Sequence, residues 1–167
     1  MRSRFMVALT AALLCAVAIG GITLATPGSG VTSTTLAQGF ADDLDTKVKT
    51  DKWMLKIDAT SLGSELTRTQ VAVIENRVAP GGHFGWHSHP GVSIVVVKSG
   101  VSTFYRGDDP TCTPHVHPAG TAYTDPGGSV HIARNEGDVE LVLLVTRIIP
   151  EGATPRIDEP DPGTCQF

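Results

Sequence analysis

From residue 53 to the C-terminal tail, short stretches rich in β-branched and apolar residues alternate with clusters of turn formers. The apolar stretches are 53–60, 69–79, 84–89, 93–98, 101–105, 130–133 and 139–149. Pro80-Gly81-Gly82, Pro90-Gly91, Ser99-Gly100, residues 107–110, Pro126-Gly127-Gly128 and residues 135–137 divide them. β-Branched side chains pack well on a pleated surface, while Gly, Pro, Asn and Asp supply the backbone angles that tight turns need. No segment carries a long helical period and there is no internal repeat. The pattern therefore predicts an all-β domain, a sandwich or small barrel of short strands. Val95-Val96-Val97 is apolar at consecutive positions, which predicts a strand covered on both faces by a second sheet or another subunit.

The first forty residues read differently. Arg2 and Arg4 precede an almost unbroken apolar run, 5–24, that carries no charge, the layout of an export signal. Cleavage can follow Ala16-Val17-Ala18 or Thr35-Leu36-Ala37; left uncleaved, the run is long enough to anchor the chain in a membrane. Cys15 follows Leu13-Leu14 rather than a small residue, which argues against lipidation, and Arg2 and Arg4 are not adjacent, so no twin-arginine signal is present. Residues 26–41 are small and polar, as in a flexible linker, and the acidic and basic residues of 42–52 suit a helical turn. The expected division is 1–37 for signal peptide or anchor plus linker, 42–150 for the β-barrel and 151–167 for a tail. The expected location is secreted or extracytoplasmic.

A chain of 167 residues is long enough for one such domain. Its 13 basic and 17 acidic residues become 11 and 17 without Arg2 and Arg4, a net charge of −6. An acidic surface excludes nucleic acid as a partner, and it excludes membrane contact except through an uncleaved N-terminal segment. Removing the signal also removes Cys15 and leaves Cys112 and Cys165, which in an exported chain read as one disulfide. Such a bridge closes a long loop, contributes about 4 kcal/mol by chain entropy, and pins the Pro-, Gly- and Asp-rich tail to the barrel.

The chemistry lies in two short runs. His87-Ser88-His89 places two imidazoles at i and i+2, on one face of a strand. The run from Gly120 to Asn135 contributes His131 after the Pro126-Gly127-Gly128 turn. Three neutral imidazoles suit one divalent transition metal and leave coordination positions open for water, dioxygen or substrate. His83, four residues before His87, is a fourth ligand or a rim residue; His115 and His117 read as surface residues. Tyr105, Tyr123, Trp86, Phe104, Arg77 and Arg134 are pocket candidates by residue type alone. No Asp or Glu adjoins a candidate ligand in sequence, so no general base is named.

Both runs, in this order, resemble the paired motifs of the cupin superfamily. The first motif, G-x5-HxH-x3-4-E-x6-G, is matched by Gly81, His87, His89 and Gly100, with Ser93 in place of the Glu. The second, G-x5-PxG-x2-H-x3-N, is matched throughout by Gly120, Pro126, Gly128, His131 and Asn135. The resemblance covers roughly residues 53–148 and implies a single antiparallel jelly-roll β-barrel with a metal inside near one mouth. It implies His87, His89 and His131 as the metal ligands, with Ser93 close by, acting on a metal-bound water. With the family's Glu missing, the three-His pattern resembles that of dioxygenases that use Fe(II); Zn, Mn, Ni and Cu are also compatible. An exported Fe(II) dioxygenase acting on a small organic substrate is one expectation. A non-catalytic barrel that binds a small ligand or metal is the other. Homodimers through an exposed sheet face are common among such barrels.

Overall fold

The computed structural model describes residues 25–42, 44–49, 51–52, 54–58 and 68–167. The apolar run 5–24, with Arg2, Arg4, Cys15 and the Ala16-Val17-Ala18 cleavage candidate, lies outside the described residues.

Among the described residues the protein is built from strands and turns. The strands are β1 (Ser29–Ala41), β2 (Asp45–Lys49), β3 (Met54–Asp58), β4 (Thr69–His83), β5 (His87–Ser88), β6 (Val92–Ser99), β7 (Val101–Arg106), β8 (His115–Pro118), β9 (Ala122–Asp125), β10 (His131–Arg134), β11 (Leu141–Pro150) and β12 (Ile157–Asp158). Every pairing is antiparallel. One half of the barrel runs β1-β4-β11-β6-β9 and the other runs β8-β7-β10-β5-β12. The two halves join where Arg134 of β10 meets His83 at the end of β4. This is the nearly closed all-β jelly roll that the motifs imply.

The inner face follows the two-residue period of a strand. Ala72, Ile74 and Val78 on β4, Val95 and Val97 on β6, and Leu141, Leu143 and Val145 on β11 form one buried cluster. Burying a side chain the size of Leu141 or Leu143 contributes about 2 kcal/mol. The same parity carries Ser93 on β6 and Arg147 on β11 to the inner face, two residues beyond the apolar run of each strand. Trp86, Tyr105, Ile132 and Cys165 form a second cluster. There the C-terminal tail closes over the β5-β10-β7 half: the Phe167 ring lies 5.0 Å from that of Tyr105 and 6.2 Å from that of Trp86. The Arg134 guanidinium sits 3.8 Å above the Phe167 ring.

Three expectations change. Residues 29–41, read as linker, form β1, which pairs with β4 from Ser29↔His83 to Ala41↔Thr69. Most of β1 is solvent-exposed, so the backbone ladder rather than apolar burial holds it, and a hydropathy pattern gives no sign of it. The barrel sheet thus begins at residue 29 rather than 42, and the Thr35-Leu36-Ala37 cleavage candidate falls inside a strand. Within 42–52, Asp45–Lys49 pairs with Met54–Asp58 as a two-stranded hairpin instead of forming a helical turn. Alternating charges suit a solvated strand as well as a helical turn, and pairing across the hairpin decides between them. Finally, Val95 and Val97 are buried but Val96 is 42% exposed, so among the described residues no second sheet covers the outer face of β6, which leaves another subunit as its expected cover.

Candidate metal centre

Local pairing brings the three motif histidines together. His87 on β5 stands directly opposite His131 on β10, and His89 follows one residue beyond β5. All three are buried, and the metal-binding nitrogens of the set lie within 4.8 Å of one another. The ring centroids are 4.3 Å apart for His87 and His131, 4.8 Å for His87 and His89, and 5.2 Å for His89 and His131. Phe104 on β7 stacks on His131 at 5.2 Å and fixes one side of the cluster.

The turn Pro126-Gly127-Gly128 ties the two motifs to each other. The Gly128 amide donates to the His89 carbonyl at 2.7 Å. Gly127 has φ +77°, and a Cβ there would collide with the carbonyl of Gly91, so only glycine lets the turn pack against the loop after His89. Asn135 has a structural role: its side-chain amide donates to the Val78 and Val139 carbonyls at 2.9 and 2.8 Å.

A carboxylate unforeseen from the sequence completes the cluster. Asp125, the last residue of β9, is 3% exposed, and its Oδ2 lies 3.1 Å from His89 Nε2 and 2.8 Å from His131 Nε2. Its Oδ1 accepts the Gly127 amide at 3.2 Å. In the barrel register Asp125 stands directly opposite Ser93, the position where the first motif carries Glu. The negative charge absent from β6 therefore enters from the neighbouring strand. In the sequence, Asp125 precedes Pro-Gly-Gly and reads as an ordinary turn former; only its partnership with Ser93 marks it.

Hydrogen bonds set the ring tautomers. Nδ1 of His87 lies 2.9 Å from the Gly85 carbonyl, Nδ1 of His89 lies 2.9 Å from that of Pro155, and Nδ1 of His131 lies 2.8 Å from that of Ser129. A carbonyl only accepts, so each Nδ1 carries the hydrogen and each Nε2 of a neutral ring presents a lone pair. Burial, reinforced by the nearby His131 and Arg156, pushes the His87 pKa down to about 2 and keeps that ring neutral. Burial would raise the Asp125 carboxyl, but the contacts with His131 and His89 outweigh it and hold it below the usual carboxylate range. At these distances the Asp125 carboxylate and the Nε2 atoms of His89 and His131 need a positive charge between them, from a bound cation or from protons on the rings. That donor set fits a divalent transition metal.

The remaining candidates divide by location. His83 lies apart from the cluster, its Nδ1 accepting the Gly85 amide at 3.1 Å. Phe104 and Tyr123 line a cavity of about 290 Å³ with the three histidines, whereas Trp86 and Tyr105 pack in the cluster covered by the tail. His115 is exposed; His117 is partly covered and stacks on Tyr123 at 4.2 Å. Arg77 pairs with Glu75 and Glu140, and Arg134 with Glu136, all away from the cavity. Ser93 is 2% exposed, lines the cavity, and its Oγ has no hydrogen-bond partner.

Cys112 and Cys165 are joined as a disulfide, with Cα atoms 5.2 Å apart across a sequence separation of 53. This bond holds the tail in place, and the tail supplies the Pro155 carbonyl that orients His89. Structural disulfides are commonest in proteins of oxidising compartments.

Residues 75–147 match the family described as a cupin domain. Among solved structures, a cupin domain from Bordetella pertussis is 22% identical, covers 75% of this chain and 97% of its own, and superimposes with a TM-score of 0.46. A cupin superfamily protein from Desulfitobacterium hafniense is 14% identical, with 71% and 77% covered and a TM-score of 0.46. A Streptococcus pyogenes protein of unknown function is 17% identical, with 73% and 76% covered and the same TM-score of 0.46. These likenesses concern the fold alone. No curated protein matches the sequence. With both motifs in place on a nearly closed antiparallel barrel, residues 75–147 are a cupin domain.

Proposed function

We propose that the protein is an exported, mononuclear metal-binding cupin that acts on a small organic substrate as an Fe(II)-dependent dioxygenase. His87, His89 and His131 would hold the ion, and Asp125 would supply the anionic ligand. The observation that supports metal binding is the clustering of the three rings, each held by a carbonyl at Nδ1, with the Asp125 carboxylate against Nε2 of His89 and His131; the dioxygenase part of the reading rests on the three-His resemblance. Imidazole and carboxylate donors suit Fe(II), and Zn, Mn, Ni and Cu remain compatible. The three histidines and Asp125 would hold the ion and would leave room beside it for an exogenous ligand. When bound, such an ion supplies Lewis-acid and, as iron, redox chemistry.

The chain's own residues do the rest. The three carbonyl contacts lock the rings, Phe104 presses on His131, and Val95, Leu143 and Val145 wall the cavity with apolar surface that excludes water. The Cys112–Cys165 bridge supports the exported location.

Elemental analysis of protein purified from its native host is expected to find one transition metal per chain, and His89→Ala is expected to lose it. Unchanged metal content in that variant would contradict the ligand assignment. A second reading, a non-catalytic binding module, is favoured by one observation. Among the described residues, apart from the proposed ligands and two arginines, the only ionisable group lining the cavity is Tyr123, whose hydroxyl burial pushes up to about 12. Dioxygen uptake by the iron-loaded protein with thiols, phenols or diketones decides between the two. A fully metal-loaded protein that consumes no dioxygen with any of them is the module.

A further inference from the structure

Two buried donors face the cavity with nothing to donate to. Nε of Arg147 and Oγ of Ser93 are both shielded from solvent and lack hydrogen-bond partners. Both line the cavity that holds the three histidines. Their proximity follows from the sheet: Arg147 on β11 stands opposite Ser93 on β6, and Ser93 stands opposite Asp125 on β9. Directly opposed residues present their side chains to the same face, so guanidinium, hydroxyl and carboxylate form one row leading to the histidines. The other arginine of the cavity is already committed. Arg156 donates from Nε to Asp158 at 2.7 Å and from a terminal nitrogen to the Phe84 carbonyl at 2.6 Å. Among the described residues Nε of Arg147 has no such partner, and the nearby carboxylate that acts on it, Asp125, is turned toward His89 and His131.

A buried guanidinium N–H without an acceptor is costly, and so is an unsatisfied hydroxyl. The guanidinium fork matches a carboxylate in two parallel hydrogen bonds, and a serine hydroxyl beside it can add a third. Charge points the same way. A divalent ion, the Asp125 carboxylate and the Arg147 guanidinium leave the cavity with a surplus of two positive charges for an anion to neutralise. The volume, about 290 Å³, is at the small end for a ligand pocket and suits a compact molecule.

We infer that Arg147 and Ser93 form the anchor for the carboxylate of a small organic acid, with the remainder of the molecule directed along the row toward the histidines. The anchor rests on the proposed metal centre only through the charge sum; the orphaned donors stand without it.

The test uses the full mature protein, metal-loaded and metal-free, with malonate as probe and neutral malonamide as its control. Binding is followed by calorimetry and by shifts in the nuclear magnetic resonance spectrum. Malonate is expected to bind and malonamide not. Arg147→Gln is expected to weaken malonate by roughly tenfold to a hundredfold, the loss typical of a charge-assisted pair, with metal content unchanged. Ser93→Ala, which removes one hydroxyl and leaves the fold intact, is expected to weaken it by a smaller factor. Equal malonate affinity in wild type and both variants would overturn the anchor, as would equal binding of malonate and malonamide. If Arg147→Gln fails to fold, Ser93→Ala alone decides in the same way. Metal loading without malonate binding would remove the anchor and leave the metal centre standing. Binding that depends on Arg147 in a protein that never takes up metal would do the reverse.

Discussion

Acid should destabilise the metal-free protein through His87, by an amount the structure sets. In the folded barrel this ring is 5% exposed, donates from Nδ1 to the Gly85 carbonyl, and has its pKa lowered from 6.5 to about 2 by burial and by the nearby His131 and Arg156. In the unfolded chain it titrates at the ordinary value. Between pH 6.5 and about 2 the unfolded state therefore binds a proton that the folded state refuses. The contribution is fully present above pH 6.5 and is lost as pH falls below it. Linkage gives about 1.4 kcal/mol per pH unit for one group, so acidification from pH 7 to pH 5 removes about 2 kcal/mol. Against a total stability of about 5–15 kcal/mol that is a large loss. Urea unfolding of chelator-treated protein, read through tryptophan fluorescence at pH 7 and pH 5, measures it. His87→Gln keeps a neutral polar side chain of similar size and cannot take up the proton. Its unfolding free energy should vary less between the two pH values by the same 2 kcal/mol. An identical pH dependence in wild type and His87→Gln would refute the account.

Further consequences follow from individual contacts. Asp125→Asn preserves the cap on the Gly127 amide but removes the charge facing His89 and His131; metal affinity, measured by competition with a chelator, should fall at least about tenfold, and an unchanged affinity would take the carboxylate out of the ligand set. Cys165→Ser opens a bridge with a sequence separation of 53, so the denaturation free energy should drop by about 4 kcal/mol; mass analysis of the secreted wild type should find neither Cys112 nor Cys165 open to alkylation. Gly127→Ala places a Cβ against the Gly91 carbonyl at a positive φ, and it should cost about 1–3 kcal/mol and lower metal occupancy, because that turn aligns both Asp125 and His131. Thermal unfolding together with metal analysis reads both effects.

Much of this protein was legible in one dimension because its strands obey a period of two and its turns need particular residues. β4, β6, β7, β10 and β11 lie where the apolar stretches predict them, and His87, His89 and His131 sit at spacings that strand geometry and the Pro126-Gly127-Gly128 turn translate directly into convergence. The Cys112–Cys165 pairing was likewise available by counting the cysteines beyond the apolar N-terminal run. What stayed hidden depends on lateral pairing between strands. Asp125 looks like a turn residue until β9 is laid beside β6 and its carboxylate falls opposite Ser93. Arg147 looks like a charge at the end of an apolar strand until the same register turns it into the barrel. β1 is held by a backbone ladder that any sequence of suitable conformation can form, so its polar side chains give no sign of it. Period and spacing are local properties of the chain, and they determined the strands, the turn and the three imidazoles. Register is a relation between distant segments, settled only when the two halves of the barrel close on a shared core. That closure alone decided where the carboxylate and the guanidinium would stand.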